Sequence, residues 1–220
     1  MQLEYVLNSS MEVRKDSRDT IAVIPVGSIE QHCQGPLGTD AIIAEALARE
    51  SCRRVSGVKC TVLPAIYYGY SPEWGRVPGT ITLSLTTFTG LITDILDNLY
   101  RAGFRRIAIL NGHGGNAGIL ESIAREWVLG KDAIVAVINY WRLVGVDLGH
   151  ASKGEELVAR LLGININFGE CIESREALDP VMIRNPPIEP VKLESRQVPI
   201  SREELIGGIV DILARLARQL

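Results

Sequence analysis

The stretch "IAILNGHGGNAGIL", Ile107 to Leu120, decides the fold. Four apolar residues run straight into Asn, Gly, His, Gly, Gly, Asn, and then an apolar-periodic segment resumes. A short continuous apolar run bounded by glycine reads as a strand covered on both faces, and the resumed spacing reads as a helix over 117–129 with Asn116 as its cap. Strand, glycine loop and helix in that order form a unit of a parallel α/β sheet. The loop is too glycine-rich to hold itself by packing, and a histidine flanked by glycines has little to pack against. Glycines let backbone approach a ligand or metal closely. The spacing matches neither the dinucleotide fingerprint nor the P-loop.

The same grammar extends outward. Apolar, β-branched runs predict strands at 21–27, 59–66, 80–85, 106–112 and 133–139. Helical spacing predicts helices at 40–55, at 86–102 with Gly103 as the stop, and at 201–219, where Ser201 and Glu204 form a capping-box pattern. The stretch 179–200 holds five prolines and reads as a loop or extended arm. Strands alternating with helices predict a three-layer α/β/α fold around a mostly parallel central sheet. With no repeat or linker dividing residues 1–220, one domain is expected.

Composition narrows the function classes. The chain has 220 residues, 46% hydrophobic and 22% charged, with a net charge of -3. No basic face or Lys/Arg run appears, so no nucleic-acid partner is expected. No apolar run approaches membrane-spanning length, so no membrane partner is expected either. The N-terminal "MQLEYVLNSSMEVRKD" lacks the apolar core of a signal peptide, which predicts a cytoplasmic protein. Cys33, Cys52, Cys60 and Cys171 form no C-x-x-C pair and read as scattered thiols.

The three histidines of the chain, His32, His113 and His150, all fall in polar, glycine-bearing loops at predicted strand ends. In open α/β sheets, sites form at the carboxyl ends of the strands. In "VGSIEQHCQGPLGTD", Glu30 and His32 are two apart and can point the same way from an extended loop. Asp40, at a helix start, can turn back toward them. Two carboxylates and an imidazole suit Zn, Mn or Fe. The stretch also admits a plainer reading, with Asp40 a helix cap and Glu30 and His32 solvated. In "GHASKGEE", His150 precedes a helix starting near Ser152, with Glu155 and Glu156 in its first turn, where the helix dipole alone would favour acids. If the three loops share one sheet edge, they gather three imidazoles and at least three carboxylates, enough for a dinuclear centre with one bridging carboxylate and an activated water.

The set "GSIEQH…PLGTD", "PGTITLS", "NGHGGN" and "HASKGEE" resembles the creatininase family of metal-dependent amidohydrolases in order and approximate spacing, over about residues 20–160. The resemblance implies a parallel sheet with flanking helices and two divalent metal ions per chain (Zn, Mn or Fe). It also implies a small-molecule amide substrate and a homo-oligomer, often a hexamer. Glu30, Asp40 and His113 would bind one metal, and His32, Asp40 and Glu155 the other, with Asp40 bridging. His150, just outside the metals, would be catalytic, as the proton-transferring group. A metal-bound hydroxide would attack the carbon of a cyclic amide or formamide. Glu73, Trp74, Gly114, Gly115 and Asn116 are expected to line the substrate pocket.

The chain departs from the family pattern in places. The Glu30–Asp40 loop is one residue short and lacks a histidine often found there. Gly115 stands where creatininase itself has a glutamate, which argues against creatinine, and Trp74 stands where many relatives have histidine. The "HAS…EE" run is similar to a branch that removes the formyl group from 2-amino-5-formylamino-6-ribosylaminopyrimidin-4(3H)-one 5'-monophosphate; another branch processes a peptide-derived redox cofactor precursor. A phosphorylated substrate would need basic residues in the pocket, with Lys153, Arg76 and Arg142 candidates by position alone. The alternatives are a catalytically silent metal- or nucleotide-binding member of the same fold, and a metal-free phosphate-binding domain, which leaves Glu30, His32 and His150 unexplained.

Overall fold

The computed structural model describes residues 1–143, 149–169 and 200–219. Four strands form one parallel sheet: β1 Thr20–Val26, β2 Lys59–Val62, β3 Arg106–Asn111 and β4 Ile134–Asn139, in the order β2-β1-β3-β4. Ile24 pairs with Ile109 and Val26 with Asn111; Asn111 in turn pairs with Asn139. All strands therefore end on one edge, and β1 and β3 lie at its centre.

Every residue of β1 is buried, as expected of a strand covered on both faces. Its side chains alternate between two cores. Ile21 and Val23 join Ala108 and Leu110 under α2 (Thr39–Arg54), α5 (Lys153–Leu161) and α6 (Arg202–Ala217). Ala22, Ile24 and Val26 join Ile107 and Ile109 under α3 (Leu85–Arg101) and α4 (Ala117–Trp127). Phe88, Ile92, Leu96 and Leu99 repeat at helical spacing and form the buried stripe of α3. Each fully buried side chain of this size contributes roughly 1.5–3 kcal/mol. The three-layer α/β/α architecture is thus the one expected.

Several local expectations change. The run 80–85 is not a sheet strand: Ile81 makes one isolated antiparallel bridge to Ile29, and Ile81 and Leu85 are exposed. Leu83 packs against the core under α3 and α4, and the segment ends at Ser84, which caps α3 through the Thr87 N–H. The run 59–66 is a strand only to Val62, after which Ile66 bridges Val26 once. A short helix, α1 (Ser10–Asp16), with a complete Ser9–Glu12 capping box, was not anticipated. Cys52 and Cys60 are not scattered thiols. The turn between α2 and β2 brings their Cα atoms to 5.4 Å and they form a disulfide. Gly103 does stop α3, at a φ of 105°. The proline-rich arm expected at 179–200 lies, apart from the buried Ile200, outside the described residues.

Candidate metal centre

Three loops at the carboxyl edge supply the polar residues: the one after β1 carries Glu30, His32 and Asp40, the one after β3 carries His113, and the segment before and into α5 carries His150 and Glu155. Asp40 sits in the first turn of α2, whose cap position is Gly38, so the carboxylate is not the helix cap. The turn fits between the strand ends because residue 112 is glycine; a Cβ there would collide with the carbonyl oxygen of Asp40. Ser152 caps α5 with Glu155 in a full capping box, which holds the Glu155 backbone and one carboxylate oxygen in place.

The side chains converge. Glu30, Asp40 and His113 form one group, and His32, Asp40 and Glu155 another, the ligand atoms within each lying within 4.8 Å of one another. Asp40 Oδ2 lies 3.1 Å from His113 Nδ1, and Asp40 Oδ1 lies 3.2 Å from His32 Nε2. One carboxylate thus turns an oxygen to each group, as a bridging ligand must. Ser28 Oγ donates to Asp40 Oδ2 at 2.8 Å and orients it. All five of these residues are buried.

The outer nitrogens fix the imidazole tautomers. His32 Nδ1 lies 3.1 Å from the Glu30 carbonyl oxygen, to which it donates, so Nε2 is the nitrogen that faces inward. His113 Nε2 donates toward the Tyr70 carbonyl at 3.0 Å, with Ser71 Oγ at 3.1 Å, so Nδ1 faces Glu30 and Asp40. Two buried atoms of the cluster, Glu30 Oε2 and His32 Nε2, find no hydrogen-bond partner among the described residues. His32 Nε2 is close to Asp40 but not aligned for a hydrogen bond. Buried polar atoms left bare cost free energy, and buried charges are paired or coordinate metals. The donor set therefore fits a divalent cation.

The electrostatics agree. Burial pushes the Glu155 carboxyl up to about 8, and the nearby Asp40 charge adds to this. Burial pulls His32 down, but the Asp40 carboxylate outweighs it and holds the imidazole up at about 9. His113 is raised well above its ordinary value by Glu30 and Asp40 against the same desolvation. Carboxylates held this close need either protons or a cation between them.

His150 stands beside the groups, a quarter exposed, with Nδ1 3.2 Å from Glu30 Oε1. Its ring stacks on Trp74, centroids 4.5 Å apart at 26°. Glu73 reaches within 3.7 Å of His113 Nε2 and is raised by burial. Gly114 is exposed, with open space around it, whereas a Cβ at Gly115 would lie 2.5 Å from both His113 Nε2 and the Tyr70 carbonyl oxygen. Asn116 departs from expectation. Its side chain makes no cap bond; Nδ2 donates to the Gly27 carbonyl and Oδ1 accepts from the Tyr70 N–H, both at 2.9 Å. It is a strut tying the three loops together. Of the basic candidates, Lys153 pairs with Glu156 and Arg142 with Glu121, leaving Arg76. Sequence reasoning passed over Ser28 and Gln31, although both sit inside the "GSIEQH" motif. Tyr70 contributes only backbone, which no residue type announces.

The sequence and the fold both have known relatives. The family model described as creatininase, creatinine amidohydrolase, matches residues 8–161. The chain is 30% identical over 145 residues to the creatinine amidohydrolase of Pseudomonas putida, covering 60% of this chain and 55% of that protein. It is 36% identical over 136 residues to a mycofactocin precursor peptide peptidase of Mycobacterium tuberculosis, covering 58% and 54%. The chain thus spans about half the length of the curated relatives it matches. A solved zinc–zinc form of a creatininase mutant shares the fold, with a TM-score of 0.71 at 22% identity over 99% of both chains. With the family model covering most of the chain and the fold shared over its length, this chain belongs to the creatininase family.

Proposed function

We propose that the chain is a metal-dependent amidohydrolase that cleaves a non-peptide C–N bond and holds two divalent ions, zinc, manganese or iron. Glu30, Asp40 and His113 would hold one ion, and His32, Asp40 and Glu155 the other. The observation that carries this reading is Asp40, whose two oxygens face two different imidazoles 3.1 and 3.2 Å away. When bound, the metal pair supplies an activated water and a Lewis acid for the carbonyl. The protein orients the rest: Ser28 holds the bridging carboxylate, Tyr70 and Glu30 carbonyls hold the imidazoles, and His150 faces the cluster as the proton-transferring group.

The substrate class follows from the walls. Gly115 leaves no room for the glutamate that creatininase carries there. This favours a formamide, such as a formylaminopyrimidine ribonucleotide, over creatinine. Arg76, exposed two residues beyond Trp74, is the candidate for its phosphate. Among the described residues no helix is long and apolar enough to cross a membrane, and a homo-oligomer is part of the same proposal.

The test is metal content per chain, by plasma mass spectrometry, on protein purified without chelator or metal-affinity tag, followed by a panel of formamides and cyclic amides. About two ions per chain and turnover of a formamide are expected. Asp40→Asn should lose both ions. Protein that holds no metal and takes up none when offered would overturn the reading; metal without turnover across the panel would favour a silent member of the family.

A further inference from the structure

His150 has two possible employments, and distance alone does not choose between them. Glu30, His32 and His150 form a third group whose ligand atoms lie within 4.8 Å of one another. His150 Nδ1, 3.2 Å from Glu30 Oε1, is near enough to the cluster to serve as a third imidazole ligand. Only a nitrogen without its proton can coordinate, so the tautomer of His150 decides.

The Glu30 carboxylate favours a proton on Nδ1, and the other side of the ring is held by Gln31, the one residue of "EQH" to which the proposed metal chemistry gives no role. Its side-chain oxygen accepts from the Cys33 backbone N–H at 3.0 Å. A backbone N–H can only donate, so the atom it faces is the oxygen, and the amide is not free to flip. Cys33 takes a left-handed φ of 57°, uncommon outside glycine, in the turn that makes this contact. The Gln31 backbone is itself anchored, its N–H donating to Thr80 Oγ1 at 3.0 Å. The Gln31 NH2 group is therefore the end that lies 2.9 Å from His150 Nε2. An amide NH2 can only donate, so Nε2 must accept, and the ring proton stands on Nδ1, aimed at Glu30. The Trp74 stack on one side and the His32 ring on the other, each with centroids 4.5 Å away, oppose a ring flip that would exchange the nitrogens.

We infer that Gln31 is a positioning residue that holds resting His150 as its Nδ1–H tautomer, keeping it out of the coordination sphere with its N–H on Glu30 until a proton is transferred. This rests on the proposed metal centre for its consequence, but the tautomer is measurable without metal or substrate. The chain has three histidines, so nitrogen-15 magic-angle-spinning spectra of histidine-labelled full-length protein resolve three rings. In wild type, His150, identified by its loss in His150→Ala, should show a protonated Nδ1 and a bare Nε2. A bare Nδ1 overturns the inference.

The second arm counts ligands in the zinc-loaded protein by X-ray absorption. Wild type should show about one imidazole per zinc, from His32 and His113. Gln31→Glu keeps the length but offers only acceptors; with zinc holding Glu30, the Nε2 side then takes the proton and Nδ1 is free to coordinate, so the count should rise to about one and a half. Gln31→Glu combined with His150→Ala should restore the wild-type count. A count unchanged in Gln31→Glu, with zinc retained, overturns the role of Gln31. Wild type that binds no zinc sinks the metal-centre reading instead and leaves the nitrogen-15 test of Gln31 standing. If Gln31→Glu does not fold, Gln31→Met, equally long and without hydrogen-bonding groups, should show His150 in a mixture of tautomers in the zinc-loaded protein, where the metal holds Glu30, and a single Nδ1–H form there would count against Gln31.

Discussion

Protein stripped of metal should lose stability as the pH rises from about 6.5 to about 9. His32 carries the calculation. Its ordinary value is 6.5, and in the folded chain the Asp40 carboxylate, working against burial, raises it to about 9. The folded state therefore binds this proton more tightly than the unfolded state. The resulting stabilisation is fully present below pH 6.5 and lost as the pH rises through 9, about 3 kcal/mol in all. His113, raised well above the same ordinary value, acts with the same sign. So does Glu155: pushed up to about 8 chiefly by burial, it costs stability as it ionises above its ordinary 4.5. Glu30 and Asp40 are lowered, so their contribution is present above their ordinary values and lost only in stronger acid. The stripped protein should thus be most stable near pH 5 to 6. The assay is thermal or urea unfolding of chelator-treated protein across this range. The His32 share alone lowers the melting temperature by about 6 to 12 °C between pH 6.5 and 9. Zinc should reverse the trend, because its ligands must shed their protons and its affinity climbs with pH. A stripped protein whose stability is flat or rising between pH 6.5 and 9 would refute the close pairing of these side chains.

The other predictions are simpler. His150→Ala should keep both metals and lose roughly 100- to 10,000-fold in turnover of the formamide that wild type cleaves; unchanged kcat removes it from the chemistry. Asn116→Ala strands the buried Gly27 carbonyl and Tyr70 N–H and should cost about 2 to 4 kcal/mol in urea unfolding, whereas a cost under about 0.5 would mean the strut carries nothing. Gly112→Ala drives a methyl into the Asp40 carbonyl oxygen and should lower metal content well before it unfolds the chain; full occupancy would show that the α2 turn can shift freely. Cys52→Ser opens the crosslink to Cys60, eight residues away, and should cost about 2 to 3 kcal/mol under oxidising conditions and nothing under reducing ones.

The fold was legible because its signals are local. Continuous apolar runs announced β1, β3 and β4, the Ser201–Glu204 box announced α6, and Ser152 with acids in the turn after it announced α5. The failures are also physical. Residues 80–85 are apolar and β-branched, but among the described residues they make one β-bridge, to Ile29, and a backbone hydrogen bond to Gly69, before Ser84 commits the chain to α3. The Ser9–Glu12 box of α1 has the same spacing as the Ser201–Glu204 box and is just as legible. Asn116 looked like a helix cap because it precedes α4, but Gly27 and Tyr70, distant in sequence, claim both ends of its amide.

By itself, the order of residues determined which side chains could do chemistry. Three histidines in glycine-bearing loops, two of them, His32 and His150, with carboxylates nearby in sequence, are a statement about composition and spacing, and these survive any detail of packing. Only the tertiary structure decided how they are shared. That Asp40 turns one oxygen to each imidazole, that Tyr70 contributes a carbonyl and no side chain, and that Gln31 holds one nitrogen of His150 and Glu30 the other all depend on parallel strands ending at one edge. Hydrogen bonds between residues as far apart as Gln31 and His150 are set by where the sheet places their loops, and sequence spacing carries no record of that distance.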